Sequence, residues 1–475
     1  IGLTGNHSYS YDQYGRINQI NDITYNRLTN SELIAQINRP NGVSSTYDYE
    51  ANRDIESGVG HGEFASYGYS NNAIGNRSSM SRSGSVFSVS DTINYSYNDR
   101  SEVTGALSNA SSTNYNYTFA FDPIGNRLNA ELAGQSVDYT TNILNQYTAV
   151  NATAPTYDDD GNMLAYGNWS YAWNGENRLI QAINSATGVK LEFDYDYMGR
   201  RIFKKVYSGE TLEKHLRFVY DGYKLIEEKD ALNSNALVRR YVWQPESLDR
   251  DVPLTVYDAS TEKTYYYHTD ANKNVTELSD ENGEVIAHYE YSPFGSLTKI
   301  TGVYAASNPF RFSSEYFDEE TGLVYYNYRY YNPELGRWIS RDPIEEQGGY
   351  NLYGMIENNP LYGWDDLGRG LHEWWCTLRD LFNLGKKIKD TKDKLDDVVK
   401  TKDNVSTLAD PDAPLDEKVK AVTDTAIDGA KKSKRNNDAN NIQNFQNKSL
   451  DNLTEIQNSI DRRNNELRKL YDGTW

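Results

Sequence analysis

The chain has 475 residues, a formal net charge of −20 and 37% hydrophobic residues. This acidic balance argues against a nucleic-acid-binding surface for the chain as a whole. No stretch approaches 18 consecutive apolar residues, so we predict no transmembrane segment, and the single cysteine, Cys376, excludes an internal disulfide framework. The chain begins at Ile1 with no Met and no signal-like apolar run, so we expect a fragment or a processed piece.

The chain consists of two regions that differ in composition. Residues 370–475 contain 19 basic and 19 acidic side chains, so the residues before them carry the whole net charge. Of the 40 tyrosines only Tyr471 lies beyond residue 369. Because a chain of this length holds about two to four domains, the border predicts domains of different type on its two sides.

A short degenerate repeat runs through residues 1–307. Its pattern is aromatic-x-aromatic, then Asp or Asn, two further residues and Gly, often followed by Arg and an apolar residue. Copies lie at residues 9–17, 69–77, 119–128, 157–164, 171–179 and 193–202. The alternation predicts a strand with one aromatic face, and the Asp/Asn and Gly positions predict a hairpin turn. Because a lone hairpin is marginal in water, we expect the hairpins to add side by side into a long antiparallel sheet that curls or closes.

The acidic and histidine residues of the repeat region do not predict a metal site. The acidic run at residues 158–161 lacks the alternating ligands and the distal Glu of a calcium-binding EF-hand loop. The six histidines, among them His215, His268 and His288, show no paired spacing of the kind that zinc sites use. We therefore predict neither a metal nor a cofactor.

A dense cluster of Arg, Asp, Gly and Trp residues lies next to the border. It includes Tyr328-Arg329-Tyr330-Tyr331, Arg341-Asp342-Pro343 and Asp365-Asp366-Leu367-Gly368. The repeats and this cluster together resemble the YD-repeat, or Rhs-repeat, family, which includes Rhs polymorphic toxins, C subunits of insecticidal toxin complexes and teneurins. The resemblance covers residues 1–368, and residues 308–368 resemble the Rhs-associated core. It implies a hollow β-cocoon with a core that closes one end.

The resemblance also implies a self-cleavage site. In many members the core is an intramolecular aspartyl protease, and its Arg and two Asp residues correspond to Arg329, Asp342 and Asp365. Two neighbouring carboxyl groups share a proton, so one can activate water while the other acts as an acid, and a buried Arg can stabilise the developing oxyanion. The predicted cleavage site is Gly368-Arg369-Gly370, just past the second Asp.

The chain departs from the family pattern beside both aspartates. Asp-Pro-x-Gly is usual at the first, where this chain has Asp342-Pro343-Ile344-Glu345, and Asp-Pro-Leu-Gly is usual at the second, where it has Asp365-Asp366-Leu367-Gly368. Both aspartates are retained, and the replaced neighbours put the turn geometry, and hence the activity, in question. Asp366 is a second candidate for the partner role. The alternative interpretation is that the aspartates only cap turns in a structural plug.

Residues 369–475 predict a small helical domain. Apolar residues recur at spacings of three, four and seven, and Pro411 and Pro414 interrupt them. His372 and Cys376 are spaced i, i+4, but no other His lies in the tail, so Cys376 is interpreted as a packed residue. The basic run at residues 431–435 is interpreted as a solvated linker, with nucleic-acid or anionic-membrane contact left open. The tail contains no nuclease, deaminase, ADP-ribosyltransferase or peptidase motif.

These patterns predict a mainly β protein with a repeat shell at residues 1–307, a core plug at 308–368 and a helical domain at 369–475. The first functional hypothesis is a secreted or surface-delivered bacterial protein whose shell encloses the C-terminal domain as effector cargo and releases it by self-cleavage. Expected partners are secretion-system or toxin-complex subunits and a cognate immunity protein. The second hypothesis is a non-enzymatic adhesion or envelope module with an inert core, and the third makes the tail a docking bundle for a secretion partner.

Overall fold

The structure is a computed structural model, and it describes residues 7–110, 115–245, 248, 251–365 and 367–370. These residues belong to one unit, Ile1–His372. The predicted helical domain at 369–475 therefore lies, apart from residues 369 and 370, outside the described residues, as does Asp366. Among the described residues, no helix is long and apolar enough to cross a membrane.

The first sheet contains fourteen described strands, which pair in sequence order with antiparallel neighbours. Its strands are β1 (Tyr9–Tyr11), β2 (Ile17–Ile20), β3 (Ile23–Arg27), β4 (Ile34–Asn38), β5 (Ser44–Tyr49), β6 (Glu56–His61), β7 (Ala65–Asn71), β8 (Arg77–Ser83), β9 (Asp91–Tyr97), β10 (Val103–Ser108), β11 (Asn116–Phe121), β12 (Arg127–Leu132), β13 (Gln135–Thr141) and β14 (Tyr147–Val150). Such an order is what a chain of consecutive hairpins produces, so the predicted addition of hairpins side by side is confirmed.

The second sheet repeats this plan with another fourteen strands. Its strands are β15 (Thr156–Tyr157), β16 (Met163–Tyr166), β17 (Trp169–Trp173), β18 (Leu179–Asn184), β19 (Val189–Tyr195), β20 (Arg201–Ser208), β21 (Thr211–Asp221), β22 (Lys224–Asp230), β23 (Ala236–Trp243), β24 (Pro253–Asp258), β25 (Lys263–Thr269), β26 (Val275–Ser279), β27 (Val285–Tyr291) and β28 (Leu297–Thr301).

A third, four-stranded antiparallel sheet lies within the predicted core segment. Its strands are β29 (Tyr316–Asp318), β30 (Leu323–Tyr326), β31 (Arg329–Asn332) and β32 (Arg337–Trp338). Short 3-10 turns at Phe312–Ser314, Glu345–Gly348 and Ile356–Asn358 connect the rest of this segment. The described part of the chain is thus almost entirely β-structure, as the sequence predicts.

The Asp/Asn-x-x-Gly element of the repeat forms a hairpin turn. In the first copy, the Asp12 carboxylate accepts the N–H groups of Tyr14 at 2.9 Å and Arg16 at 3.0 Å, and Gly15 has a φ of +79°. A side chain with an acceptor oxygen fixes such a turn, and Gly adopts the left-handed conformation at no steric cost. The same pair of side-chain bonds recurs in the turns that begin at Asn72, Asn98, Asp122, Asn142, Asn174, Asp196, Asp270 and Asp280.

The expectation that the repeat sheet could close on itself is wrong. Among the described residues, each large sheet runs from a first to a last strand with no pairing between its two ends, and the backbone ladder stops between β14 and β15. A bridge between Val150 and Thr153 turns the chain there, and Pro155, which has no N–H to donate, precedes β15. The shell region is therefore two open sheets rather than one closed sheet.

Side chains join the two large sheets where backbone pairing does not. The Arg39 guanidinium donates to the Tyr267 carbonyl at 2.8 Å, and the Tyr67 hydroxyl donates to Glu277 at 2.8 Å. Arg82 pairs with Glu290 at 2.7 Å. We call this contact of residues 39–82 with residues 267–290 the seam.

The core segment lies against the turns of both large sheets. The side-chain N–H groups of Asn359 and Asn351 donate to the side-chain oxygens of Asn76 and Asn126, which lie in turns of the first sheet, each at 3.1 Å. In the second sheet, the Tyr353 hydroxyl donates to the Gly161 carbonyl at 2.8 Å. Turns that are far apart in the sequence therefore contact one segment, and this segment also carries the candidate site.

Candidate active site

Arg329 stands at the start of β31 and is held there by the neighbouring hairpin and an aromatic ring. It pairs with Tyr326 across the hairpin formed by β30 and β31, and Asn327 in the connecting turn has a φ of +43°. The Arg329 guanidinium lies 4.1 Å from the centre of the Trp338 ring on β32. Because Arg329 is only 2% exposed, this cation–π contact is largely desolvated and fixes the direction of the side chain.

The structure brings Arg329 together with both predicted aspartates. Its Nη2 atom lies 2.8 Å from Asp342 Oδ2 and 3.2 Å from Asp365 Oδ2. Asp342 follows β32 and is 6% exposed, and Asp365 lies near the end of the described chain and is 2% exposed. Residues that are 13 to 36 positions apart in sequence thus meet at one guanidinium nitrogen, although their catalytic role stays a prediction.

The predicted cleavage segment lies in the same site. The Arg329 Nε–H donates to the Gly368 carbonyl at 2.5 Å. Asp365 Oδ1 accepts the N–H groups of Gly368 at 2.7 Å and Arg369 at 3.0 Å, and Oδ2 accepts that of Gly370 at 2.8 Å. The peptide unit between Gly368 and Arg369 is therefore held at its carbonyl by Arg329 and at its N–H by Asp365.

Glycine is needed at position 368 because the backbone turns sharply and closely there. Gly368 has a φ of +73°, and a Cβ at this position would lie 2.7 Å from the Tyr326 carbonyl oxygen. A larger residue would have to move the backbone away from Arg329.

The replaced family position beside Asp342 keeps the turn. Glu345 donates its N–H to the Asp342 carbonyl at 3.0 Å and has a φ of +53°, the left-handed region in which glycine is favoured. Asp342 Oδ1 also accepts the Ile344 N–H at 3.0 Å. The Glu residue thus adopts a glycine-like backbone, and the turn that positions Asp342 persists without the usual Gly.

Burial and charge shift the pKa values of the two carboxyl groups in opposite directions. Burial raises the pKa of both the Asp342 and the Asp365 carboxyl groups, and the positive charge of Arg329 acts against this rise. Burial also lowers the pKa of Arg329. One guanidinium faces two carboxyl groups, so ionising both at once is costly and a shared proton is favoured.

The two carboxyl groups differ in their hydrogen bonds. Asp365 accepts four backbone N–H groups, those of Leu367 and the three residues after it, and also contacts Arg329. Asp342 accepts one backbone N–H and contacts Arg329. Since hydrogen bonds to a carboxylate favour its ionised form, Asp342 is the better candidate to keep a proton.

Sequence reasoning missed three residues of the site: Trp338, Gly348 and Tyr328. Trp338 lies under Arg329, and a Cβ at Gly348 would lie 2.5 Å from Asp342 Oδ2. The Tyr328 ring lies beside Arg369. Trp338 and Tyr328 belong to the cluster that carried the resemblance but had no role assigned to them, and no spacing in the sequence signals Gly348. Among the described residues, no cluster of three or more His, Cys, Asp or Glu side chains is suited to hold a metal ion.

Comparison with known proteins relates this fold to a shell family. A model of the teneurin YD-shell family matches residues 3–361 of the chain. The chain is 30% identical over 272 residues to the tRNA3(Ser)-specific nuclease WapA of Bacillus spizizenii, a match that covers 55% of this chain and 11% of that protein. It is 27% identical over 309 residues to toxin subunit YenC2 of Yersinia entomophaga, which covers 55% of this chain and 30% of that protein.

A solved structure has the same fold. A chain in the structure of the Photorhabdus luminescens Tc holotoxin pore is similar with a TM-score of 0.64 and 19% identity, over 77% of this chain and 20% of that chain. At this identity the likeness concerns the fold alone. The matched regions span less than a third of either curated relative.

Proposed function

This chain belongs to the teneurin YD-shell family, and we propose that it encloses its C-terminal segment and releases it by cutting its own backbone between Gly368 and Arg369. In this proposal residues 1–307 are the shell, residues 308–368 are the plug that carries the protease site, and residues 369–475 are the cargo. The observation that carries it is the contact of Arg329 Nε with the Gly368 carbonyl, beside two carboxyl groups that share that guanidinium.

The proposed reaction is hydrolysis of one peptide bond. A water molecule attacks the Gly368 carbonyl carbon, and Arg329 stabilises the negative charge that develops on the carbonyl oxygen. Asp365, which has the larger set of donors to its ionised form, takes a proton from the water. Asp342 gives its proton to the Arg369 nitrogen as the C–N bond breaks. The products are a carboxyl group on Gly368 and an amine on Arg369, so the water is fully accounted for.

The proposed cargo is an effector domain. The similar proteins are a nuclease by name and a toxin subunit by name, which supports an effector domain at residues 369–475. On this basis we propose a secreted protein that works with toxin-complex or secretion-system subunits and, in the producing cell, with an immunity protein. Toxicity of residues 369–475 when expressed alone would separate an effector from the docking bundle that is the third hypothesis.

A second candidate function has one observation in its favour. Asp365 has both oxygens engaged by backbone N–H groups, which is also the arrangement of a carboxylate that only caps a turn. The core would then be an inert plug in a non-enzymatic surface or adhesion module. Self-cleavage distinguishes the two functions directly.

The deciding experiment is a denaturing gel of the purified chain and of Asp342→Asn. Self-cleavage predicts two bands for the parent chain and one for the variant, because an amide in place of the carboxyl group cannot donate the proton. Intact-mass measurement of the smaller fragment should give Arg369 as its first residue. Asp99→Asn, at an exposed turn, is the matched control and should be cut like the parent. A single band for the parent chain, or two bands for Asp342→Asn, contradicts the protease assignment.

A further inference from the structure

Tyr328 lies beside the proposed scissile bond and contacts the residue that follows it. The Arg369 guanidinium lies 4.5 Å from the centre of the Tyr328 ring. The Tyr328 N–H donates to the Leu367 carbonyl at 3.0 Å, two residues before Arg369. Tyr328 therefore contacts the chain on both sides of the proposed scissile bond. Its backbone N–H contacts Leu367, and its ring contacts Arg369.

The shell, rather than the plug alone, holds the Tyr328 ring. Its hydroxyl lies 2.5 Å from the Tyr223 hydroxyl, and the two ring centres are 5.8 Å apart. The Arg178 guanidinium lies 4.6 Å from the centre of the Tyr328 ring, and its Nη1 donates to the Asn327 carbonyl at 3.1 Å. The Tyr328 ring is thus held at its hydroxyl end by Tyr223 and over its face by Arg178, independently of Arg369.

We propose that Tyr328 is a specificity-determining residue that selects a cationic side chain at position 369, and this inference rests on the proposed self-cleavage. An aromatic ring attracts a guanidinium through the negative potential of its π-face, and attracts an aliphatic or anionic side chain less or not at all. Because Arg369 contributes the nitrogen of the proposed scissile bond, its contact with a fixed ring helps to orient the Gly368–Arg369 peptide unit against Arg329 and Asp365.

The contact should give a modest preference for a cation at position 369. Arg369 is exposed, so its cation–π contact with Tyr328 forms at a surface that faces water. Cation–π contacts at exposed sites change equilibria by about two- to fivefold. The selected class of substrate is therefore a peptide with Arg, or to a lesser degree Lys, directly after the glycine whose carbonyl Arg329 polarises.

The test compares two side chains at position 369 with and without the ring. The full-length parent, Arg369→Leu, Tyr328→Leu and the double variant are made by pulse-labelled cell-free translation, and the rate of fragment release is measured on gels. We expect Arg369→Leu to slow release about two- to fivefold when Tyr328 is present. We expect the same change to have a clearly smaller effect in the Tyr328→Leu background, because the ring contact is already gone and only the action of the Arg369 charge on Asp342 remains.

Two further variants separate specificity from folding. Tyr328→Phe keeps the ring and loses the hydroxyl bond to Tyr223, so it should retain the preference for Arg369. Arg369→Lys should be cut at a rate between those of the parent and Arg369→Leu. An equal penalty of Arg369→Leu in both backgrounds would overturn the role of Tyr328 while leaving the protease assignment intact. A parent chain that is not cut, or is cut equally after Asp342→Asn, would overturn both.

Discussion

The carboxyl groups of the candidate site differ in what surrounds them. Asp365 holds the backbone of residues 367–370 through four N–H groups, whereas Asp342 sits in a turn with a single backbone donor. In other hydrolytic sites, one carboxyl group acts as the acid and the other as the base because their surroundings give them different pKa values. Because both carboxyl groups contact one guanidinium nitrogen, we expect them to titrate as a unit, and the assignment then concerns which carboxyl group keeps the proton rather than two independent pKa values.

Gly348 lies beside Asp342, so adding one methyl group at this glycine tests whether the position of the carboxyl group matters. A Cβ at Gly348 would lie 2.5 Å from Asp342 Oδ2 and 2.9 Å from its Cγ. Gly348→Ala should therefore displace the carboxyl group from Arg329 and slow fragment release by about 100-fold, since misplacement by about 1 Å can cost that much. The rate is measured by pulse-labelled cell-free translation.

The control for this change is Gly175→Ala. Gly175 lies in a repeat turn where a Cβ would meet no heavy atom of the described residues within 4 Å. That variant should be cut at the parental rate, which would exclude a general effect of replacing glycine. Gly348→Ala cut at the parental rate would mean that the position of Asp342 does not limit the reaction.

Sequence and structure agree where a residue's role depends on its neighbours along the chain. The turn residues such as Asp12 and Gly15 were predictable because both bonds of the turn are local. Arg329, Asp342 and Asp365 were identified through their resemblance to a family motif. Tyr328 and Gly348 were not, because their contacts with Arg369 and Asp342 arise only when the plug folds back on itself.

At the scale of strands and sheets, the sequence did not predict that the repeats would form two open sheets. Local patterns fix each hairpin, but they do not say whether the last strand reaches the first. The ladder ends near Pro155, and the two sheets associate instead through side chains, which include a shared apolar cluster and the polar pairs of the seam. Such contacts, between residues more than 200 positions apart, leave no periodicity in the sequence.

The seam contains a buried histidine whose protonation the surroundings oppose. His268 is fully buried between Ser279 Oγ at 2.8 Å and Ser45 Oγ at 3.4 Å, and its ring centre lies 5.1 Å from that of His61. Burial, and then the charge of Arg39, hold the pKa of His268 well below its usual range. Its ladder partner Glu277 is engaged by the Tyr67 hydroxyl and by His288.

This histidine should make the fold sensitive to acid. A histidine that is neutral in the folded state and titrates normally when unfolded stabilises the fold above its unfolded pKa, near 6.5, and this stability is lost as the pH falls. Each unit of pH below that value should cost about 1.4 kcal/mol for such a group. The raised pKa of His288 acts in the opposite direction, so the effect of His268 is measured as a difference: between about pH 7 and pH 5, the free energy of unfolding from denaturant titration should fall more, or rise less, for the parent chain than for a variant without this histidine.

His268→Gln keeps a polar side chain and cannot gain the charge, so its unfolding free energy should fall less, or rise more, than that of the parent as the pH drops. His7→Gln, at an exposed position, should leave the parental slope unchanged. Equal slopes for the parent and His268→Gln would show that the seam does not sense acid through this residue.

At the scale of the whole molecule, a buried group of charges joins the core segment, residues 308–368, to the second sheet. Asp318 on β29 pairs with Arg201 at 2.6 Å and with Lys204 at 2.8 Å on β20, and its side chain has no exposed surface. Lys204 also pairs with Glu320 at 2.6 Å. The two cations hold the pKa of the Asp318 carboxyl below its usual value despite burial. A buried pair of this kind is costly to break from one side, because the remaining charges stay out of water.

Asp318→Asn should therefore loosen the plug as well as destabilise the fold. The change leaves Arg201 without its carboxylate and Lys204 with Glu320 alone, so the free energy of unfolding should drop by about 3–5 kcal/mol. Because Arg329, Asp342 and the cleavage segment all lie in the plug, release of the C-terminal fragment should also slow. Denaturant unfolding measures the first effect, and pulse-labelled translation measures the second. Asp99→Asn, at an exposed turn, should change neither, whereas an Asp318→Asn chain as stable as the parent would mean that these charges do not hold the plug to the shell.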